Sequence, residues 1–178
     1  MNITLSVLGL LLLTAVVTGC IVPPVVASST ASSDAEASFR AFLPTFEQGT
    51  NDFMNGDVTR WLANASQSDQ ASIMGGWGAY EQGWDEVGLR YQWAVQRFLP
   101  SAAKLEVEYL ATKVSGDLAY TVAIERSTVK LVDQAQPAPM ALRVTHVFQR
   151  ENGQWKLLHR HADPMMAKTA PDTVLGTE

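Results

Sequence analysis

Residues 143–161 have the sequence RVTHVFQRENGQWKLLHRH, and this stretch decides the fold. Two runs of alternating apolar and polar side chains flank Asn152-Gly153. An Asn-Gly pair between such runs is the strongest short signal for a β-hairpin, because a type I′ turn needs positive φ at both central residues. The stretch therefore predicts two antiparallel strands joined by a two-residue turn.

The predicted turn also defines which side chains share a face of the sheet. Counting outward from it gives these opposed pairs: Phe148 with Leu157, His146 with His159, and Val144 with His161. Because side chains alternate between faces along a strand, all three histidines would share one face with the larger apolar residues. The other face would carry a mixed apolar and basic set: Arg143, Thr145, Val147, Leu158 and Arg160.

Three interpretations of the histidines remain open. They can be satisfied polar residues at the edge of a core, since histidine is intermediate in burial. They can line a cavity, where an imidazole orients a ligand or acts as an acid or base. They can also share zinc, because directly opposed strand residues lie close together. The chain lacks a metal motif such as HExxH, so we predict no metal site and no cofactor.

The segments before the hairpin predict helices followed by strands. Phe39, Phe46 and Phe53 recur at a spacing that places them on one face of a helix over 34–55, with Pro44 inside it. A short helix around Trp61, a strand over 69–74 and a helix over 84–99 follow. Alternating runs then begin near 105 and 119. Helices followed by a mostly antiparallel sheet of about four long strands indicate an α+β fold.

The amino-terminal segment predicts export and lipid attachment. An apolar stretch over residues 5–17 is too short to span a bilayer comfortably and has the size of a signal-peptide core. It leads through small residues to Cys20, which is the only cysteine in the chain. This pattern resembles the lipobox of bacterial lipoproteins, in which the cysteine is acylated. The resemblance implies a periplasmic-side protein that partners the membrane through Cys20, at the outer membrane if the host is Gram-negative.

Composition divides the chain and excludes one class of partner. We predict a signal peptide over 1–19, a flexible Pro/Ser/Ala-rich tether over 20–33, one domain over 34–166 and a disordered tail over 167–178. The net charge of −5 argues against nucleic-acid binding, which needs a clustered basic surface.

Two segments carry a family resemblance. They are residues 75–84, GGWGAYEQGW, and the hairpin of residues 143–161. Together they resemble the SnoaL-like, ketosteroid-isomerase-like group of the nuclear transport factor two superfamily. The hairpin is also similar to the association domain of calcium/calmodulin-dependent kinase II. The resemblance spans about 35–164 and implies helices packed on a curved sheet around a cone-shaped cavity, often in a homodimer.

The resemblance implies a ligand pocket but assigns no catalytic residue. The pocket candidates are aromatic, acidic or imidazole side chains near the two segments: His146, His159, His161, Tyr80, Trp77, Trp84 and Asp69. Asp69 can instead be an exposed strand-start residue, which is the commoner position of an aspartate. The three aromatic candidates can instead be packing residues, which is the commoner role of such side chains.

Three functional hypotheses follow. The first is a lipid-anchored module that binds a small apolar or acidic molecule in the cavity. The second is a SnoaL-like enzyme, of the isomerase, dehydratase or cyclase type, that uses a histidine base. The third is a self-association domain. The cavity and the position of the histidines discriminate among them, because fold alone says little about activity.

Overall fold

The computed structural model describes residues 27–175, which form helices packed against one strongly curled sheet. The helices are α1 (Ala27–Phe53), α2 (Thr59–Asn64) and α3 (Trp84–Val95). The strands are β1 (Ser72–Met74), β2 (Tyr80–Gln82), β3 (Phe98–Leu99), β4 (Glu106–Ser115), β5 (Leu118–Leu131), β6 (Ala138–Glu151) and β7 (Gln154–Pro164). The α+β prediction is confirmed. None of the described helices is long and apolar enough to cross a membrane.

The sheet is mostly antiparallel and is built around the predicted hairpin. The strand order is β2-β1-β7-β6-β5-β3. Strand β4 also pairs with β5, along the part of β5 that β3 does not occupy. Only β1 runs parallel to its neighbour β7. The chain between β1 and β7 is long, from β2 through β6, as a parallel pair requires, because a short hairpin can join only antiparallel strands.

The turn at Asn152-Gly153 is confirmed. The φ angles are 50° at Asn152 and 80° at Gly153, as a type I′ turn requires. Glu151 pairs with Gln154, and Phe148 with Leu157, in the predicted register.

The predicted register is wrong beyond Leu157. Leu158 is an extra residue that forms a β-bulge, so that Val147 pairs with His159 and His146 pairs with Arg160. A bulge moves every later side chain of its strand to the other face. Arg160 therefore lies on the inner face, and His159 and His161 lie on the outer one. The histidines do not form one cluster, and His146 and His159 cannot share a metal.

The core lies between α1 and the inner face of β6 and β7. Phe39 and Phe148 are fully buried, with ring centroids 5.1 Å apart in an edge-to-face arrangement. Phe46 and Trp155 pack on the same cluster at 5.0 and 5.1 Å. Edge-to-face pairs add to the stabilisation that burial provides. The helical face predicted from the phenylalanine spacing is therefore the face that packs on the sheet.

Several element boundaries differ from the predictions. The first helix begins at Ala27, so residues 27–33 of the predicted tether are helical. These seven residues are alanine, serine and threonine, and none is a glycine or proline that would interrupt a helix. The third helix ends at Val95 rather than 99, because Phe98 and Leu99 pair with β5. Residues 171–174 of the predicted tail form one short 3-10 helix.

Candidate functional site

A cavity of about 1060 Å³ opens between the carboxyl-terminal half of α1, helix α3 and the inner face of the sheet. Its volume lies just above the range of about 300–1,000 Å³ that ligand pockets occupy. Much of its wall is apolar, including Phe53, Met54, Ile73, Phe98, Val129 and Leu142. Strands β5 and β6 supply the sheet side of this space, mainly through residues 126–129 and 138–142.

A buried ionic cluster lies at one side of the cavity. The Arg160 guanidinium donates to both carboxylate oxygens of Glu125, with Nη1–Oε1 at 3.1 Å and Nη2–Oε2 at 2.6 Å. Arg160 Nη1 also donates to His146 Nε2. Glu125, His146 and Arg160 are 2%, 3% and 8% exposed. Such a pair is tolerated in the interior because each charge is neutralised and hydrogen-bonded by the other.

His146 is a neutral component of this cluster. Its Nε2 accepts a hydrogen bond from Arg160, and its Nδ1 lies 3.3 Å from Thr121 Oγ1. An imidazole nitrogen can accept only when it carries no proton, so the proton belongs on Nδ1. Burial lowers the His146 pKa well below its usual value, and the Arg160 charge lowers it further. His146 does not line the cavity.

Two aromatic residues from the helices complete this side of the cavity wall. The Trp61 ring on α2 lies 5.5 Å from the Tyr91 ring on α3, and the Arg160 guanidinium lies 5.5 Å from the Trp61 ring. Both aromatic residues are buried and line the cavity. Burial raises the Tyr91 pKa, so its hydroxyl stays protonated at physiological pH. Together these groups place hydrogen-bond donors at an otherwise apolar wall.

The glycine-rich segment singled out in the sequence forms a loop beside the cavity. Gly78 and Ala79 both have positive φ, 81° and 61°, and the Gly78 carbonyl accepts a hydrogen bond from Arg90 at 2.7 Å. The turn directs Trp77 onto Phe98, with ring centroids 5.5 Å apart. Trp77 lines the cavity and is 47% exposed, so it spans the boundary between cavity and solvent.

The structure separates the seven pocket candidates. Only Trp77 lines the cavity. His159 lies on the outer face and bonds Ser72 through Nδ1 at 2.8 Å. His161, on the same face, lies 3.2 Å from the Asp163 carboxylate. The remaining candidates lie away from the cavity: Asp69 and Tyr80 are exposed, Trp84 packs at the edge of the core, and His146 is buried behind Arg160.

No metal-binding group stands in the described part of the chain. Between residues 27 and 175, no three His, Cys, Asp or Glu side chains lie close enough together to hold a metal ion. The imidazoles instead have protein partners, such as Thr121 for His146 and Ser72 for His159.

Four residues of the cavity wall and its ionic cluster were not predicted from the sequence: Glu125, Arg160, Trp61 and Tyr91. Glu125 had a usable signal, because it shares strand parity with the buried positions Ala119, Ala123 and Val129. A carboxylate at a core position requires a partner. Arg160 had no such signal, since its face depends on the bulge at Leu158.

Comparison with known proteins places the chain in a family. The profile of the SnoaL-like domain matches residues 43–167. No curated protein is detectably similar in sequence.

Solved structures share the fold at low sequence identity. A Streptomyces avermitilis protein, described as a proposed dehydratase of the nuclear transport factor 2-like family, is 18% identical, with a TM-score of 0.58 over 76% of this chain and 98% of that one. A Salmonella enterica nuclear transport factor 2-like protein is 21% identical, with a TM-score of 0.57 over 80% and 96%. A proposed calcium/calmodulin-dependent protein kinase type II association domain from Thiobacillus denitrificans is 21% identical, with a TM-score of 0.53 over 74% and 94%.

These likenesses support the fold and leave the activity open. The match over residues 43–167 covers more than half of the 178 residues, from the middle of α1 to the end of β7. The chain therefore belongs to the SnoaL-like domain family.

Proposed function

We propose that this SnoaL-like domain is a binding module that holds a small, mostly apolar molecule in its cavity. The observation that carries the proposal is the cavity of about 1060 Å³, with an apolar wall and a few buried polar groups. This combination is typical of small-molecule sites. A packed assembly domain would instead fill this space with side chains.

The position of the histidines favours binding over catalysis by a histidine base. A general base must come within hydrogen-bond reach of the proton that it removes. None of the three histidines lines the cavity, and both ring nitrogens of His146 face protein groups. The second hypothesis therefore lacks the residue on which it depended.

Fluorescence of an uncharged apolar dye tests the proposal. N-phenyl-1-naphthylamine should bind the full chain, held in lipid nanodiscs with empty nanodiscs as the blank, and its emission should rise. Ala94 on α3 lines the cavity and is 8% exposed, so Ala94→Phe should reduce binding by taking up cavity space.

Leu89→Phe is the matched control. Leu89 lies on the same helix but is 67% exposed, and it does not line the cavity. The control should bind the dye as the parent protein does. Equal binding by both variants would place the dye elsewhere and contradict the proposal, and so would an absence of dye binding by the parent protein.

We also propose that the domain is exported and anchored by an acylated Cys20. The apolar stretch over 5–17 and the small residues before the cysteine support this, and all of them lie outside the described residues. A diacylglyceryl group on the cysteine sulfur carries more than one fatty-acyl chain, as stable anchoring needs. Mass spectrometry of protein from native cells should find a chain that begins at lipid-modified Cys20, and Cys20→Ser should abolish the modification. An intact, unmodified leader would contradict the proposal.

A further inference from the structure

Two buried polar atoms of the cavity wall make no hydrogen bond of ordinary geometry with the protein. Trp61 Nε1 is directed towards the Tyr91 hydroxyl and lowers its pKa against the rise that burial causes, but it lies outside hydrogen-bond limits, and Ser127 Oγ is another of the five such atoms in the described residues. Both residues line the cavity, at 4% and 8% exposed. The indole nitrogen can only donate, and buried polar groups normally find a partner. This part of the wall therefore needs a hydrogen-bond acceptor.

The Arg160 guanidinium has spare donors at the same place. Of its five N–H groups, Glu125 takes two and His146 takes one. The groups left over are Nε–H and the second proton of Nη2, which lie on one edge of the planar guanidinium. Because Arg160 lines the cavity, this edge is the part of the side chain that a ligand can use.

The charge of this region is already balanced. Glu125 neutralises Arg160, and His146 is uncharged because its Nε2 accepts from the guanidinium. The other arginines of the cavity wall pair with their own carboxylates, Arg90 with Glu81 at 3.5 Å and Arg126 with Glu108 at 2.8 Å. Lys104 and Glu106, of opposite sign, are both exposed at the rim.

We propose that Trp61, Ser127 and the free edge of Arg160 form a subsite for an uncharged hydrogen-bond acceptor, such as the carbonyl oxygen of an ester or amide, carried on an otherwise apolar molecule. The inference rests on the proposed function and names the class of ligand. A carboxylate would fit the guanidinium edge in shape, but it would lose its hydration and add a negative charge next to buried Glu125. A carbonyl accepts the same hydrogen bonds without that cost.

Displacement of the dye by three ligands of similar length tests the subsite. The ligands are methyl octanoate, octanoate and nonane, which differ in acceptor and charge. At about pH 7.5 the octanoate is ionised. With the full chain in nanodiscs, methyl octanoate should bind about tenfold more tightly than octanoate. It should also bind more tightly than nonane, because only the ester can accept from the subsite.

Variants then locate the acceptor. Trp61→Phe removes the N–H and keeps an aromatic ring. It should therefore weaken the binding of methyl octanoate about fivefold and leave the binding of nonane unchanged. Trp93→Phe is the control, since Trp93 is a tryptophan on helix α3 that does not line the cavity. If Trp61→Phe fails to fold, Ser127→Ala should show the same selective loss.

The outcomes separate the inference from the proposed function. If octanoate or nonane binds as tightly as the ester, the subsite is contradicted, but the proposal that the cavity binds a small molecule is not. An equal loss for ester and nonane in Trp61→Phe also overturns it. If neither the dye nor any of the three ligands binds the parent protein, the proposed function fails and the subsite fails with it.

Discussion

At the scale of single residues, one buried charge pair organises this domain. Glu125 and Arg160 are 35 residues apart in sequence, yet the carboxylate and guanidinium share two hydrogen bonds in the interior. The pair is costly to bury and more costly to break, because a lone charge would remain without water. Its role is therefore best tested by comparing single and double replacements.

Glu125→Gln should destabilise the protein by about 3–5 kcal/mol, because it leaves the buried Arg160 charge uncompensated. Replacing both partners, in Glu125→Leu with Arg160→Met, should recover most of this loss, since the substitutes are apolar and similar in length. Urea unfolding, monitored by circular dichroism, measures the free energy of unfolding of each variant. The single variants Glu125→Leu and Arg160→Met complete the comparison. A double variant no more stable than the sum of their losses predicts would show that the pair is not coupled as described.

The buried imidazole makes stability depend on pH. Burial and Arg160 lower the His146 pKa in the folded protein below its ordinary value of 6.5. Below about pH 6.5 the unfolded chain binds a proton that the folded chain does not, so the free energy of unfolding should fall by up to about 1.4 kcal/mol per pH unit. Burial shifts the pKa of His159 in the same direction. The loss continues until the pH reaches the folded-state pKa.

Urea unfolding at about pH 7.5 and 5.5 measures this slope, and His146→Gln should reduce it because glutamine does not titrate. Glutamine still offers Arg160 an oxygen acceptor. His161→Gln is the control, since that side chain is 45% exposed. An NMR titration in which the His146 ring takes up a proton near pH 6.5 in the folded protein would contradict the assignment.

At the scale of elements, the glycine-rich loop places Trp77 at the boundary of the cavity. Trp77 contacts both Phe98 and Trp93, with ring centroids 5.5 and 5.8 Å apart. Arg90 holds the loop through the Gly78 carbonyl. Because Trp77 is 47% exposed and lines the cavity, its replacement should affect the cavity wall more than the stability of the fold.

Trp77→Ala should weaken dye binding about threefold to tenfold, because it removes a large apolar part of the wall, while lowering the unfolding free energy by less than about 1.5 kcal/mol. Trp93→Ala is the matched control: Trp93 is 41% exposed, close to the 47% of Trp77, but only Trp77 lines the cavity. Equal effects of the two variants on dye affinity would show that Trp77 has no special role at the cavity.

At the scale of the whole molecule, the outer face of the sheet is the candidate surface for the predicted homodimer. Val147 and Thr145 are half-buried there, beside the outward-facing His159 and His161. Tyr120, 42% exposed on β5, extends the same face. We propose that two copies pack through this face. Arg160, first expected to contribute, does not, because the bulge turns it inward.

Val147→Asp should convert this dimer to a monomer, because it would bury a carboxylate at the centre of the contact. Sedimentation of the chain without its leader, at high micromolar concentration, measures the change. Leu89→Asp on helix α3 is the control, because Leu89 is 67% exposed and lies away from the outer face of the sheet, and it should leave the dimer intact. A parent protein that sediments as a monomer would remove the proposal.

The sequence by itself determined the parts that depend on contiguous residues. The Asn152-Gly153 turn, the first pairs beside it and the phenylalanine face of α1 follow from local conformation and periodicity. These features need no knowledge of distant neighbours, and the α+β order follows from them.

Only the tertiary structure decided which side chains meet at the cavity. The bulge at Leu158 and the parallel pairing of β1 with β7 put Ser72 beside His159, and they turn Arg160 inward to Glu125. A bulge has no strong local signal, because strand register depends on the partner strands and on which face can be buried. One inserted residue thus separated His146 from His159 and His161 and placed a buried arginine–glutamate pair where the histidine cluster was predicted.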